Sequence, residues 1–238
     1  LNRGCIPAKA MIHASTLYRE IKEADRFGIS ASDVTYDFEK ILEYKEQTTG
    51  QLVQGVEQLL QANGVTRYYG KGTLFEGKKV KITGNEEQSV EAENVILASG
   101  SKPLILPIRG MDLPRVLTSD ELFKLSEVPK SLVIIGGGVI SVEFATVYSA
   151  LGSKVTILEA MPRQVPNMDK EIAQNLKLIL KKRGVESHTS AAVQGVHMEG
   201  DTCVCTFVEK EKEQTVEAEY VLCAVGRCPN TDGLFAEG

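Results

Sequence analysis

The sequence lacks the features that mark several large classes of protein. It has no tryptophan and only three histidines, and aromatic residues make up 6% of its 238 residues. It carries no basic run, and its net charge of −5 argues against a nucleic-acid-binding surface. No apolar stretch approaches the roughly 20 residues that a membrane span requires. A basic segment followed by an apolar core, as in a signal peptide, is also absent, so we expect a cytoplasmic location.

The spacing of the cysteines fits neither a disulfide framework nor a metal site. Five cysteines are scattered irregularly along a long chain, whereas disulfide scaffolds are short and rich in cysteine. Cys203 and Cys205 alternate in a predicted strand, so both thiols would lie on one face with geometry poorly suited to a bridge. We expect four of the five to be small core side chains: Cys203, Cys205, Cys223 and Cys228.

Two periods of apolar residues alternate along the chain and predict an α/β fold. A spacing of three or four residues predicts amphipathic helices over residues 7–24, 37–62 and 169–183. Strands are predicted at residues 66–75, 80–83, 89–91, 94–98, 185–188, 191–198, 202–208, 214–217 and 220–224. The run at residues 94–98 is continuously apolar, and we expect it to be buried on both faces.

A proline-rich segment precedes the most informative part of the chain. Four of the eight prolines lie within residues 101–131, which we interpret as a crossover between two domains. The pattern that follows is strand, helix, strand, at residues 132–135, 139–151 and 154–158. Such a unit is the setting in which a dinucleotide-binding turn is found.

A glycine-rich turn, GGGVIS, joins the first strand of this unit to its helix. Gly136, Gly138 and Ser141 occupy the three small positions of the pattern G-x-G-x-x-G/A. Gly136 would permit the tight turn, and Gly138 would let the backbone approach a pyrophosphate at the helix N-terminus. Ser141 would allow the helix to pack closely on the strand. A glycine-rich turn that binds no ligand is the alternative.

Glu159 ends the second strand of the unit. A carboxylate at this place can accept hydrogen bonds from the ribose hydroxyls of an adenosine, which favours NAD over NADP. A 2′-phosphate would require arginine instead. Arg163 lies nearby, but the acid holds the position, so we predict NAD.

The opening residues LNRGCIPAKA, together with this turn, resemble the flavoprotein disulfide reductases. In that family a motif C-L-N-x-G-C-I-P-x-K-A begins a helix beneath the flavin, and residues 1–10 match everything after its first cysteine. The segments VILASGSKP and AVGRCPNT are also similar to family segments at the exit from, and the return to, the flavin domain. The resemblance thus implies five further cofactor-binding residues: Ala98, Ser99, Gly100, Gly226 and Arg227.

The resemblance also implies a redox mechanism. NADH and FAD would exchange a hydride, and the flavin would exchange electrons with a cysteine pair. Cys5 would be the thiol that touches the flavin, at a helix N-terminus that favours a thiolate. Lys9 and Glu143 would form an ion pair near the reactive edge of the flavin. The alternatives are a half-buried core thiol at Cys5 and solvated charges at Lys9 and Glu143. The three histidines match no catalytic position of the family and are expected to be structural: His13, His188 and His197.

Within the family, the chain most resembles the branch that oxidises dihydrolipoyl groups with NAD. Mercuric and glutathione reductases share the redox motif, but Glu159 disfavours the members that use NADP. The implied partners are lipoyl domains or a small dithiol, and a second copy of the full-length chain in a homodimer. A fragment that binds NAD without catalysis, or another flavin-dependent disulfide reductase, is the alternative.

The implied fold is a Rossmann-like NAD-binding domain plus a truncated FAD-binding domain of the disulfide reductase type. We place the partial FAD-binding domain with its redox helix at residues 1–112, the NAD-binding domain at residues 113–226, and the return toward the FAD domain at residues 227–238. The motif's first cysteine would precede Leu1, and Leu is not an ordinary translation start. We therefore expect a piece of a longer protein that is inactive when isolated.

Overall fold

A computed structural model describes residues 1–236, which form two compact units. Unit 1 consists of Leu1–Val53 and Pro103–Gly226, and unit 2 consists of Gln54–Lys102 and the residues from Arg227 onward. These units differ from the domains that we assigned by predicted cofactor. The N-terminal helix, assigned to the FAD-binding domain, packs in unit 1 against the helix that follows the glycine-rich turn. The cofactor domains at residues 1–112, 113–226 and 227–238 stay a prediction, and residues 237 and 238 lie outside the described part.

The predicted long helices are confirmed to within a few residues. The described residues form α1 (Cys5–Lys22), α2 (Phe38–Ala62), α3 (Ser119–Leu122), α4 (Val139–Ala150) and α5 (Lys170–Lys182). Helix α3 was not expected within the proline-rich segment. It forms because Thr118 and Glu121 make a capping box, in which the Thr118 N–H donates to the Glu121 carboxylate at 2.7 Å. Within residues 1–236, no helix combines the length and apolar character that crossing a membrane requires.

A five-stranded parallel sheet forms the centre of unit 1. Its strands, in spatial order, are β5 (Val116–Leu117), β12 (Tyr220–Cys223), β6 (Ser131–Ile135), β7 (Lys154–Glu159) and β8 (Glu186–Thr189). The register pairs Ile135, at the end of β6, with Leu158 of β7 and Cys223 of β12. This places the carboxyl ends of three neighbouring strands beside the glycine-rich turn, where ligands bind in open α/β sheets.

Both faces of the parallel sheet are covered, which explains its continuously apolar strands. Leu132 and Ile134 belong to the core that contains the aromatic side chains of α4. Val133 and Ile135 alternate with them and belong to a second core that contains Phe207. That second core includes residues of an antiparallel sheet in the order β11 (Lys212–Ala218), β10 (Thr202–Glu209) and β9 (Ala191–Glu199).

Unit 2 contains a three-stranded antiparallel sheet. Its strands are β1 (Lys71–Phe75), β2 (Lys79–Thr83) and β3 (Gln88–Glu91), and the short strands β4 (Ser101–Pro103) and β13 (Arg227–Pro229) pair separately. The predicted strand at residues 94–98 is absent, and Ile96 is 88% exposed and Leu97 50% exposed. The prediction of a doubly buried strand was wrong because no described strand lies beside this run to share ladder hydrogen bonds.

Candidate functional site

The three glycines of the turn between β6 and α4 have different surroundings. Gly136 has φ = 101°, and a Cβ there would lie 2.5 Å from the carbonyl oxygen of Ala224 at the end of β12. A Cβ on Gly137 would lie 2.8 Å from Oε2 of Glu159. A Cβ on Gly138 would meet no atom within 4 Å. Packing within the chain therefore explains the first two glycines, whereas Gly138 leaves open space at the N-terminus of α4.

Glu159, the last residue of β7, is held in place by the backbone on both sides. Its Oε2 accepts a hydrogen bond from the Gly137 N–H, and its Oε1 accepts one from the Met161 N–H at 2.6 Å. The residue is 7% exposed. Each carboxylate oxygen has two lone pairs, so the group can still accept hydrogen bonds from a ligand. The two hydrogen bonds therefore fix the orientation of the carboxyl group beside the glycine-rich turn.

A cavity of about 380 Å³ opens beside this carboxylate. The side chains of its wall are apolar, apart from the carboxyl group of Glu159. The lining residues include Gly136, Gly137, Glu159, Leu106, Ile108 and Val193. An apolar slot with a carboxylate at its side and a helix N-terminus beside it matches the three parts of an adenosine phosphate: base, ribose and phosphate.

The side chains of Ser141 and Arg163 do not face the cavity: that of Ser141 is buried, and that of Arg163 binds its own loop. Ser141 is fully buried, and its hydroxyl oxygen has no hydrogen-bond partner among the described residues. Its small size suits the packing of α4, but the hydroxyl is closed off from the cavity side by burial. The Arg163 guanidinium donates to the carbonyl oxygens of Pro166 at 2.7 Å and Met168 at 3.4 Å. Because the Arg163 guanidinium is bound to its own loop, it is not positioned to bind the 2′-phosphate of NADP beside Glu159.

The predicted redox residues lie on α1 and α4, within unit 1. Cys5 is the first residue of α1 and is an exposed free thiol, so it is not a core cysteine. Lys9 and Glu143 form a hydrogen-bonded ion pair between the two helices. The hydrogen bond to Glu143 raises the pKa of Lys9, partial burial opposes this, and the charges of Glu143 and Cys5 add to the increase. The pair is therefore formed, and its place near a flavin stays a prediction.

In unit 2, the segments predicted to contact FAD lie side by side. The Asn230 N–H donates to the Gly100 carbonyl at 3.0 Å, and the Arg227 guanidinium donates to the Ser101 hydroxyl at 2.7 Å and carbonyl at 2.6 Å. Ala98, Ser99 and Gly100 belong to no strand. Gly226 is in unit 1, where its carbonyl accepts a hydrogen bond from Leu104 at 3.0 Å. Their role in cofactor binding stays a prediction.

The remaining cysteines and histidines have structural surroundings. Cys203, Cys205 and Cys223 are buried, as predicted, and Cys228 is half-buried. Burial raises the pKa of all three buried thiols, that of Cys205 to about 12. The His188 ring lies between Glu186 at 3.1 Å and Glu209 at 2.9 Å. Among the described residues, no group of His, Cys, Asp and Glu side chains is arranged to hold a metal ion.

Two parts of the site were missed by sequence reasoning. The first part is the stretch of cavity wall formed by Leu106 and Ile108 of the proline-rich segment. The apolar run PLILPI in that segment is a sequence signal that could have indicated this contact. The second part is the loop after β7, in which the backbone N–H groups of Met161 and Val165 bind Glu159 and Gly137. Every residue except proline has a backbone N–H, so the sequence does not indicate which of these groups donate to the site.

Comparisons with known proteins identify the family of the chain. A family model described as pyridine nucleotide-disulphide oxidoreductase matches residues 1–238. The chain is 41% identical over 238 residues to a dihydrolipoyl dehydrogenase of Geobacillus stearothermophilus, covering 100% of this chain and 50% of that protein. It is 39% identical over 239 residues to a dihydrolipoyl dehydrogenase of Acholeplasma laidlawii, covering 98% of this chain and 69% of that protein.

A solved structure is similar over the same length of chain. The HOCl-induced flavoprotein disulfide reductase RclA from Escherichia coli is 26% identical, with a TM-score of 0.78, and the match covers 98% of this chain and 49% of that one. The chain therefore spans about half the length of the Geobacillus relative and of RclA.

Proposed function

Because the chain belongs to the pyridine nucleotide-disulphide oxidoreductase family, we propose that it carries the NAD-binding site and part of the redox centre of a dihydrolipoyl dehydrogenase. The whole enzyme oxidises dihydrolipoyl groups and passes electrons through a cysteine pair and FAD to NAD. Identities near 40% to dihydrolipoyl dehydrogenases, against 26% to RclA, support this branch over other flavin-dependent disulfide reductases.

One observation carries the proposal of an NAD site: the carboxylate of Glu159 is fixed beside the turn at residues 136–138, at the edge of an apolar cavity. Its spare lone pairs accept the two ribose hydroxyls of NAD. A 2′-phosphate would bring a second negative charge against this largely buried carboxylate. The open space in front of Gly138 and the N-terminus of α4 suits the pyrophosphate.

The redox part of the proposal rests on α1. FAD, when bound, supplies the electron carrier between the cysteine pair and NAD. The exposed Cys5 thiol at the start of α1 is accessible to such a group, and Lys9 lies four residues further along the same helix. Glu143 keeps the Lys9 ammonium in place and protonated. The residues at 98–100 and 226–227 enter the proposal through the family resemblance alone.

Partners and location complete the proposal. The substrate would be a lipoyl group on a carrier domain or a small dithiol, and the whole protein would act as a homodimer. A cytoplasmic location is part of the same proposal.

Equilibrium titration of the purified chain with NADH and NADPH, followed by nucleotide fluorescence, tests the nucleotide site. We expect NADH to bind at least about tenfold more tightly than NADPH, since one lost hydrogen bond to a charged acceptor corresponds to about that factor. Equal binding of the two nucleotides, or binding of neither, would contradict the proposal.

A further inference from the structure

Val165, in the loop between β7 and α5, has a backbone conformation that valine rarely adopts. Its φ of 41° lies in the left-handed region, where a β-branched side chain is crowded by its own backbone. The residue is 4% exposed, and its N–H donates to the carbonyl oxygen of Gly137 at 2.8 Å. Strain of this kind persists only where the surrounding structure holds it, and it is concentrated at ligand sites.

Arg163 holds the strained turn together. Its guanidinium donates to the carbonyl oxygens of Pro166 at 2.7 Å and Met168 at 3.4 Å. The Met168 N–H in turn donates to the Val165 carbonyl at 2.8 Å. The side chain thus satisfies the carbonyl groups on the far side of the turn and closes it around Val165.

A second anchor ties the same segment to the parallel sheet. Gln164 is 1% exposed, and its amide Nε2 donates to the Ser187 hydroxyl of β8 at 3.0 Å. We call residues 163–168 the brace. Its two side-chain anchors, Arg163 and Gln164, directly precede Val165, whose N–H is directed at the glycine-rich turn.

The brace and Glu159 together fix the middle residue of that turn. The N–H of Gly137 donates to Glu159, and its carbonyl accepts from Val165. We propose that Arg163 and Val165 are positioning residues, which hold the turn at residues 136–138 in the conformation that binds the nucleotide phosphates. The inference rests on the proposed function. Its physical content is preorganisation: a turn held in its binding conformation loses less entropy when the ligand binds.

Four substitutions separate the brace from a general structural role. Val165→Gly retains the N–H and adopts a positive φ without crowding, whereas Val165→Pro removes the N–H. Arg163→Ala removes both guanidinium hydrogen bonds, and Arg163→Lys retains a positively charged donor group without the planar guanidinium. Arg26→Ala, at an exposed arginine that pairs with Glu23, is the matched control.

Titration with NADH is the first measurement. We expect Arg163→Ala to weaken binding about three- to tenfold, the range of one lost hydrogen bond. Val165→Pro should weaken binding by at least as much, because proline lacks the N–H and also cannot adopt the positive φ of Val165. Val165→Gly and Arg26→Ala should bind within about twofold of the parent, with Arg163→Lys between the two groups. Thermal unfolding of each variant identifies any loss of affinity that comes from unfolding. Parent-like binding by Arg163→Ala, or equal losses in Val165→Gly and Val165→Pro, would overturn the proposal.

Amide hydrogen exchange is the second measurement, and it needs no ligand. Exchange at the Val165 and Gly137 amides should accelerate in Arg163→Ala, while amides in the middle of α4 keep their rates. Unchanged exchange at both amides would overturn the positioning role even if affinity fell. If the parent chain bound no NADH, the proposed function would fail and the positioning role with it, whereas a failure of the brace alone would leave parent binding intact.

Discussion

The ammonium group of Lys9 on α1 and the carboxylate of Glu143 on α4 form an ion pair that joins two helices distant in sequence. The hydrogen bond from Lys9 to Glu143 is the largest cause of the raised pKa of Lys9. The interaction therefore links the N-terminal helix, which carries the proposed redox residue Cys5, to the helix that follows the glycine-rich turn. Its strength is testable through the titration of Lys9.

We predict that Glu143→Gln lowers the pKa of Lys9 toward its ordinary value, measured by the NMR shift of the Lys9 side chain. A group whose pKa is raised on folding contributes its full stabilisation at pH values below its pKa in the unfolded chain. That contribution is lost as the pH rises through its pKa in the folded protein. The parent should thus lose stability above about pH 10.5, and the variant should lose less. Glu171→Gln, at an exposed acid of α5, is the control. An unchanged Lys9 titration in Glu143→Gln would show that the pair does not form in solution.

A second prediction concerns the thiol of Cys5. Iodoacetamide should label Cys5 faster than Cys203, Cys205 and Cys223 at neutral pH, because Cys5 is exposed and burial raises the pKa of the other three. Mass mapping after brief labelling measures the order. Cys5→Ser provides the background rate. Labelling of the buried cysteines as fast as Cys5 would mean that the cores around β10 and β12 open in solution.

A third prediction contrasts two glycines of the same turn. Gly138→Val should abolish NADH binding and change the free energy of unfolding by only about 1 kcal/mol, because its side chain enters open space at a helix N-cap. Gly136→Ala should lower the free energy of unfolding by about 1 to 3 kcal/mol, because it combines a positive φ with an approach to the Ala224 carbonyl. Urea unfolding and NADH titration distinguish the two effects. Normal binding of NADH by the Gly138→Val chain would contradict the assignment of the turn as the phosphate-binding site.

A fourth prediction concerns the buried hydroxyl of Ser141. Ser141→Ala removes a polar atom that has no partner among the described residues, so it should leave the free energy of unfolding equal or raise it by up to about 1 kcal/mol. NADH affinity should be unchanged, because the hydroxyl is buried. Urea unfolding provides the measurement. A loss of more than about 1 kcal/mol would indicate that the hydroxyl has a hydrogen-bond partner in solution.

The strands, turn and helix of the candidate nucleotide site could be predicted from sequence because they are local. The strand β6, the turn, α4, β7 and Glu159 follow one another within one short stretch, and each has its own pattern of apolar, small or acidic residues. Lys9 and Glu143 are far apart in sequence, and only the family resemblance paired them. The structure brings them together through the packing of α1 on α4.

The failures of prediction have non-local causes. Residues 94–98 have the composition of a buried strand, yet a strand forms only beside a partner, and composition does not state whether one is present. Val165 gives no sign in the sequence of its positive φ, since valine is a poor candidate for that conformation. Its conformation is set by Arg163 and by contact with Gly137, which no periodicity encodes.

The central claim is that Glu159 accepts the ribose hydroxyls of NAD. Titrating parent and Glu159→Arg chains with NADH and NADPH tests it most directly, with Glu171→Arg as a charge-matched control on the exposed face of α5. We predict that Glu159→Arg weakens the binding of NADH by about 1.5 to 3 kcal/mol relative to that of NADPH, the value of a hydrogen bond to a charged group. Glu171→Arg should change the binding of neither nucleotide. The same ratio of NADH to NADPH affinity in parent and Glu159→Arg would contradict it.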